Sequence, residues 1–197
     1  MPFIETVSDE EAQGDAARAV EARRNENGHV PNYVRLLALR PDVLETWEQL
    51  VAAVRDKMDR RRYELATIAA ARRLGSSYCM LAHSSVLMDR GFYDADAVRA
   101  IAADHHAAAL DDADVAVMDL AEKVAADATA VTQADIDHVR GHGLSDREIL
   151  DVILAATIRA FFTKTLDAAG VQPDAGYREL TPELQEALVV GRPIAPG

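Results

Sequence analysis

The sequence predicts an all-α protein, and three observations carry that prediction. Nearly half of the 197 residues are hydrophobic but only 5% are aromatic; alanine and leucine carry the apolar content, which favours helix over sheet. Apolar residues recur at helical spacing, most cleanly at Leu44, Trp47, Val51, Val54 and Met58. Capping residues precede such stripes and glycines follow them. No stretch reads convincingly as a strand. The length suits one domain over residues 1–197, with an N-terminal arm at 1–8 and a Gly/Pro tail at 191–197.

In order along the chain, Ser8-Asp9-Glu10-Glu11 has the form of a capping box and predicts a helix from there to about Asn25, ended by Asn27-Gly28. A turn at His29-Val30-Pro31-Asn32 leads to a short apolar helix, Tyr33 to Leu39. Pro41 suits the first position of the next helix, where its missing N–H costs nothing. Arg60-Arg61-Arg62 reads as a solvated helix start, followed by a helix from about 61 to 74 and a Gly75-Ser76-Ser77 turn. Ser76 or Ser77 can cap the next helix, which runs to about Arg90 and ends at Gly91. A shorter helix covers about 94–103, and Asp104-His105-His106 reads as a solvated loop. Asp111 to Asp114 begins a helix with Val117, Leu120, Ala121 and Val124 inward. Thr132 caps another to about Arg140. Ser145-Asp146-Arg147-Glu148 is a second capping box, opening a long helix to about Ala169. That helix is apolar nearly all round from Ile149 to Phe162, so burial in the centre or at a subunit contact is expected. Gly170 ends it, and Thr181-Pro182 starts a last short helix.

The net charge is −12, from 33 acidic and 21 basic residues. Such a balance disfavours nucleic acid and anionic membrane surfaces as partners. No run of about 18 apolar residues predicts a transmembrane helix. The N-terminus has neither a basic n-region nor an apolar h-region. With a single cysteine, no internal disulfide can form. Together these features predict a cytoplasmic, reduced setting.

The chemistry-bearing stretch runs from Glu64 to His83. Cys79 is the only cysteine. His83 follows it by four residues, so on a helix the two share a face. With Ser76 as N-cap, Cys79 occupies the first turn, where free N–H groups and the helix dipole favour a thiolate. Glu64 is an acid inside an apolar helical run. Each residue also has a plain structural explanation: a lone cysteine is usually a small buried hydrophobe, a lone histidine a satisfied core or surface residue, Glu64 a surface acid near Arg60 or Arg61, Ser76 a cap, and Tyr78 a packed aromatic with its hydroxyl at the rim. Their joint spacing raises the alternative of a thiol–imidazole–carboxylate proton relay. His138 and His142 are spaced to share a metal, but Gly141 and Gly143 end their helix and no third ligand is evident, so no metal site is expected.

The set Glu64-x11-Ser76-x2-Cys79-x3-His83 resembles the alkylhydroperoxidase D-like, carboxymuconolactone decarboxylase superfamily, whose peroxidase branch carries E-x11-C-x2-C-x3-H. Gly28-His29-Val30-Pro31-Asn32 with Arg40-Pro41 resembles the N-terminal segment of peroxidase-related members. Leu144-Ser145-Asp146-Arg147-Glu148-Ile149 and Ala168-Ala169-Gly170-Val171 resemble their C-terminal helix. The likeness implies a cofactor-free helical bundle of about eight to ten helices that assembles as a homo-oligomer (dimer, trimer or hexamer). It implies Cys79 as the attacking thiol, His83 and Glu64 as its proton relay, and Ser76 and Tyr78 as site-lining residues.

This chain departs from the pattern at Ser76, which occupies the position of the resolving cysteine. A sulfenic acid formed on Cys79 would then need an external thiol or a Cys79 from another subunit. The expectation is a one-cysteine oxidoreductase acting on an alkyl hydroperoxide. Two alternatives remain. One is a lyase or isomerase acting on a lactone acid through Glu64 and His83, which needs burial to raise the Glu64 pKa and a cation from Arg72, Arg73 or Arg159. The other is a non-catalytic binding protein with a degenerate site.

Overall fold

The computed structural model describes residues 2–8 and 10–197; Met1 of the expected arm and Asp9 of the expected first capping box lie outside them. Among the described residues there are ten α-helices and no strand. The helices are α1 (Gly14–Asn27), α2 (Asn32–Leu37), α3 (Pro41–Arg55), α4 (Arg60–Leu74), α5 (Ser77–Asp89), α6 (Ala95–Ala103), α7 (Asp112–Asp127), α8 (Gln133–Gly141), α9 (Asp146–Ala169) and α10 (Pro182–Leu188). Short 3-10 turns lie at Ala128–Ala130 and Ala175–Glu179.

The bundle is arranged around α4, which packs against α7, α5 and α9. Every residue of α4 from Tyr63 to Ala71 is buried. Its small residues Ala66, Ala69, Ala70 and Ala71 let neighbouring backbones approach on several sides. Glu64 lies inside this run with its side chain fully removed from solvent, and this placement defines the site below.

The capped starts form largely as the sequence predicts. Asp111 accepts from Asp114 N at 2.7 Å to open α7; Asp59, not among the expected caps, accepts from Arg62 N at 2.9 Å to open α4. Ser145 and Glu148 make the reciprocal bonds of a capping box at α9. The first helix differs from the prediction. Ser8 and Glu11 do bond to each other, yet α1 begins only at Gly14. That glycine has φ 57°, a left-handed conformation that interrupts helical continuation.

Two further expectations change, and a third is met within the chain. Arg61 and Arg62 are not a solvated start: they reach the buried carboxylate of Asp114 at 2.6 and 2.9 Å and clamp α4 to α7. His105 is not in a solvated loop; it is 2% exposed, and its Nε2 lies 2.8 Å from Asp119 Oδ1. α9 buries Ile149, Val152, Ala155, Ala156, Ile158, Arg159, Phe162, Thr163 and Leu166 within the chain. Its other flank leaves Leu150 and Phe161 about half exposed within the single chain.

The last residues of the chain return to the hairpin that carries Cys79. Gly191 N donates to Ser77 Oγ at 2.8 Å. A Cβ at Gly191 would stand 1.9 Å from Gly75 O, so only glycine permits this approach.

Candidate active site

The site is built on the turn between α4 and α5. Gly75 ends α4 at φ 71°, and Ser76 then accepts from Cys79 N at 3.4 Å as the N-cap of α5. Cys79 is therefore the third residue of the helix, as the sequence predicts, and is 1% exposed. Among the described residues its sulfur has two hydrogen-bond partners, both from α9. Thr163 Oγ1 lies 3.4 Å away, and Arg159 Nη1 donates across 3.6 Å.

Arg159 is the least expected component. It is 3% exposed, its second amino group donates to Tyr63 OH at 3.4 Å, and its guanidinium lies over the Phe162 ring at 5.4 Å. Among the described residues it joins no ion pair; its side-chain partners are a sulfur, a phenol and a ring. A buried cation without a carboxylate in contact is costly unless another negative charge serves it.

Glu64 and His83 form a second unit beside it. Glu64 Oε2 pairs with His83 Nδ1, and Oε1 lies 2.7 Å from Arg60 Nε. Burial pushes Glu64 up, but the His83 imidazole, Arg60 and Arg159 together hold its carboxyl below the usual value. Burial lowers the His83 pKa, and Arg159 adds to the effect, outweighing Glu64. At neutral pH the pair is thus an ionised carboxylate and a neutral imidazole. An acceptor-only carboxylate assigns the proton to Nδ1, which leaves Nε2 with a free lone pair. A carboxyl raised toward neutral pH, which the lyase alternative requires, is the opposite of what Glu64 displays.

Cys79, His83 and Arg159 all line a cavity of about 150 Å³, together with Tyr33, Trp47, Tyr63, Tyr78 and Phe162 among others. Trp47 and Phe162 stack with centroids 4.4 Å apart and planes 11° apart. Tyr33 meets Phe162 edge-on at 5.3 Å. The cavity is therefore lined by aromatic rings together with the thiol, imidazole and guanidinium. His83 and Cys79 share the space, although His83 is not among the hydrogen-bond partners of the sulfur.

The remaining predicted residues sit nearby in other capacities. Ser76 is 1% exposed and supports Cys79 as the helix cap. Tyr78 lines the cavity, but its hydroxyl is not left at the rim: it donates to Asp174 Oδ2 at 2.5 Å. Burial pushes that phenol well above its ordinary range. Of the three candidate cations, Arg72 turns to the carbonyls of Ala102 and Ala103, Arg73 is exposed, and Arg159 alone reaches the site. Thr163, Tyr63 and the Trp47–Phe162 stack are additions that sequence reasoning missed. The one signal for the α9 contribution was a charge, Arg159, inside the apolar run from Ile149 to Phe162.

The all-helical bundle, with its cysteine and His–Glu pair on the central hairpin, has the AhpD-like fold. Residues 41–132 match the model of the carboxymuconolactone decarboxylase family, a little under half of the chain. The matched stretch runs from α3 past α7 and contains Glu64, Cys79 and His83, while Arg159 and Thr163 lie beyond it. No curated protein sequence matches the chain.

Solved structures do resemble it. A peroxidase-related protein of Ralstonia eutropha JMP134 with an alkylhydroperoxidase AhpD core superposes with a TM-score of 0.80 at 20% identity, covering 89% of this chain and 94% of that one. A peroxidase-related protein of Silicibacter sp. TM1040 gives 0.78 at 19% identity, with 90% and 96% covered. A cysteine-to-alanine variant of the debrominase Bmp8, in complex with 2,3,4-tribromopyrrole, gives 0.75 at 14% identity, with 94% and 97% covered. At these identities the likenesses establish the fold.

Proposed function

We propose that this protein is a thiol-dependent oxidoreductase that reduces a small organic hydroperoxide at Cys79. The observation that carries the reading is Arg159, a buried guanidinium without a carboxylate in contact that donates to the sulfur of the single cysteine. The guanidinium is placed to stabilise the negative charge that develops on the sulfur once the thiol proton leaves, and a thiolate is the nucleophilic form.

In the proposed reaction, the thiol proton passes to the free Nε2 of His83, with Glu64 stabilising the imidazolium that forms. Sγ then attacks the terminal oxygen of the hydroperoxide. The S–O bond forms as the O–O bond breaks, sulfur is oxidised to a sulfenic acid, and the proton on His83 goes to the departing alkoxide to give an alcohol. With serine at position 76, the chain has no resolving thiol of its own. One external thiol condenses with the sulfenic acid and releases water, and a second restores Cys79 by thiol–disulfide exchange. The aromatic rings that line the cavity supply the apolar contact for the organic group. The peroxidase-related proteins of the same fold support this reading.

The test combines sulfenic-acid trapping with hydroperoxide consumption in the presence of a small thiol. Wild type traps on Cys79, and Cys79→Ser does neither. His83→Gln slows the reaction roughly 100-fold, the usual size of a general acid–base contribution. A wild-type sulfur that reacts with cumene hydroperoxide no faster than free cysteine sinks the proposal.

A second reading rests on the stacked Trp47–Phe162 wall, which suits a planar ring, together with the debrominase that shares the fold. There the sulfur would take a halogen from the ring carbon as a proton replaces it, and external thiol would then release halide. Bromide release from 2,3,4-tribromopyrrole without hydroperoxide turnover would select this reading over the first.

A further inference from the structure

We propose that His105, His106 and Asp119 form a three-ligand site for a divalent transition-metal ion, with Zn²⁺ the ion that their chemistry fits best. The group lies on the turn after α6 and on α7. It is separate from the Cys79 cavity, whose lining includes none of the three.

The turn aims two consecutive imidazoles at one point. Asp104 Oδ1 accepts from His106 N at 3.0 Å, and Ala107 N donates to Asp104 O at 3.1 Å. Neighbouring side chains in a helix point about 100° apart, and in a strand to opposite faces. Here the two rings lie side by side, with centroids 4.4 Å apart and planes 32° apart. Their Nε2 atoms stand 2.8 and 2.9 Å from the same oxygen, Asp119 Oδ1.

Folding alone does not call for this arrangement. His105 is buried and needs one partner, which Asp119 supplies. His106 has a side chain 59% exposed, and water would satisfy its ring anywhere on that surface. Its placement on an oxygen already taken adds nothing to the needs of His105. A cation at the focus of the three atoms explains the convergence.

The spacing is close to what such an ion requires. Zn²⁺ bonds of about 2.0–2.1 Å in a tetrahedron place ligand atoms roughly 3.3 Å apart. Here all donor atoms lie within 4.8 Å of one another. The two short edges open and the long edge closes through rotation of His106 and Asp119, whose side chains are 59% and 40% exposed. His105, with a side chain only 3% exposed, is the fixed anchor. Two imidazoles and one carboxylate, with no thiolate, are a borderline donor set suited to Zn²⁺, and the exposed side leaves a fourth position for water. Bound metal would fasten the 104–107 turn to the middle of α7.

The full chain, stripped with a chelator, is titrated with Zn²⁺ against a chromophoric competitor. Co²⁺ is then added as a spectroscopic probe of coordination. Wild type is expected to take one equivalent and to melt at a higher temperature with Zn²⁺ than without. His106→Ala and Asp119→Asn are each expected to weaken binding at least tenfold and to abolish the melting shift. Both positions are partly exposed, which avoids the folding defect that a change at buried His105 risks. Cys79→Ser and His138→Ala are expected to bind as wild type, since neither residue belongs to the group. The proposal is overturned if wild type takes up no stoichiometric metal, if His106→Ala and Asp119→Asn bind undiminished, or if binding is lost in Cys79→Ser or His138→Ala instead.

Discussion

Replacing Arg159 by methionine tests the electrostatics of the cavity directly. Methionine keeps much of the side-chain length and loses the charge. A unit charge 3.6 Å from the sulfur interacts with a thiolate by about 4 kcal/mol at an effective dielectric near 20, and hardly at all with a neutral thiol. If about half of that is recovered by water entering the vacated space, ~2 kcal/mol remains, or roughly a 30-fold slower attack by the sulfur. The assay is the rate of iodoacetamide alkylation at pH 7, followed by mass spectrometry at Cys79. The same substitution removes a buried cation that no carboxylate contacts, so the melting temperature should hold or rise. A variant that is folded and alkylates within twofold of wild type would refute the role given to Arg159.

Three other outcomes follow from the geometry. Asp114→Asn leaves Arg61 and Arg62 facing a neutral amide; a loss of about 3 kcal/mol is expected, seen as a melting temperature lower by roughly 6–12 °C. The folded pKa values of His83 and Glu64 both lie below their unfolded values, so the unfolded chain binds more protons and acid destabilises. The His83 share is present above about pH 6.5 and is lost below it, and the Glu64 share is lost below about pH 4.3. Melting curves of His83→Gln across this range should therefore be flatter than wild type between those two values. Gly191→Ala forces the tail off Gly75 and costs on the order of 1 kcal/mol, a drop of about 2–4 °C by calorimetry.

Much of this architecture was legible in the sequence because it rests on local rules. Helix stripes, the Ser145 box, the Ser76 cap and the glycine stops depend on residues within a turn of each other. The four-residue step from Cys79 to His83 puts both on one face for the same reason. What could not be read was the approach of distant segments. Arg159 and Thr163 lie 80 and 84 positions from Cys79, and no local pattern tells which of several arginines crosses that gap. The charged run at Arg60 to Arg62 misled because its counter-ion, Asp114, is more than 50 positions away. His105 looked like loop surface because its burial depends on α7. The helix expected at the Ser8 box starts later for a local reason that sequence did contain, a glycine at position 14, but whether that glycine would leave the helical region was not written in its neighbours.

The bond between Gly191 and Ser77 spans 114 residues. It therefore sets an order of events during synthesis. The hairpin bearing Cys79 emerges from the ribosome well before the tail that closes over its turn, and before α9 brings Arg159 and Thr163 to the sulfur. For that interval the thiol stands on a nascent chain without its neighbours, open to oxidants that the finished protein would meet only through the cavity.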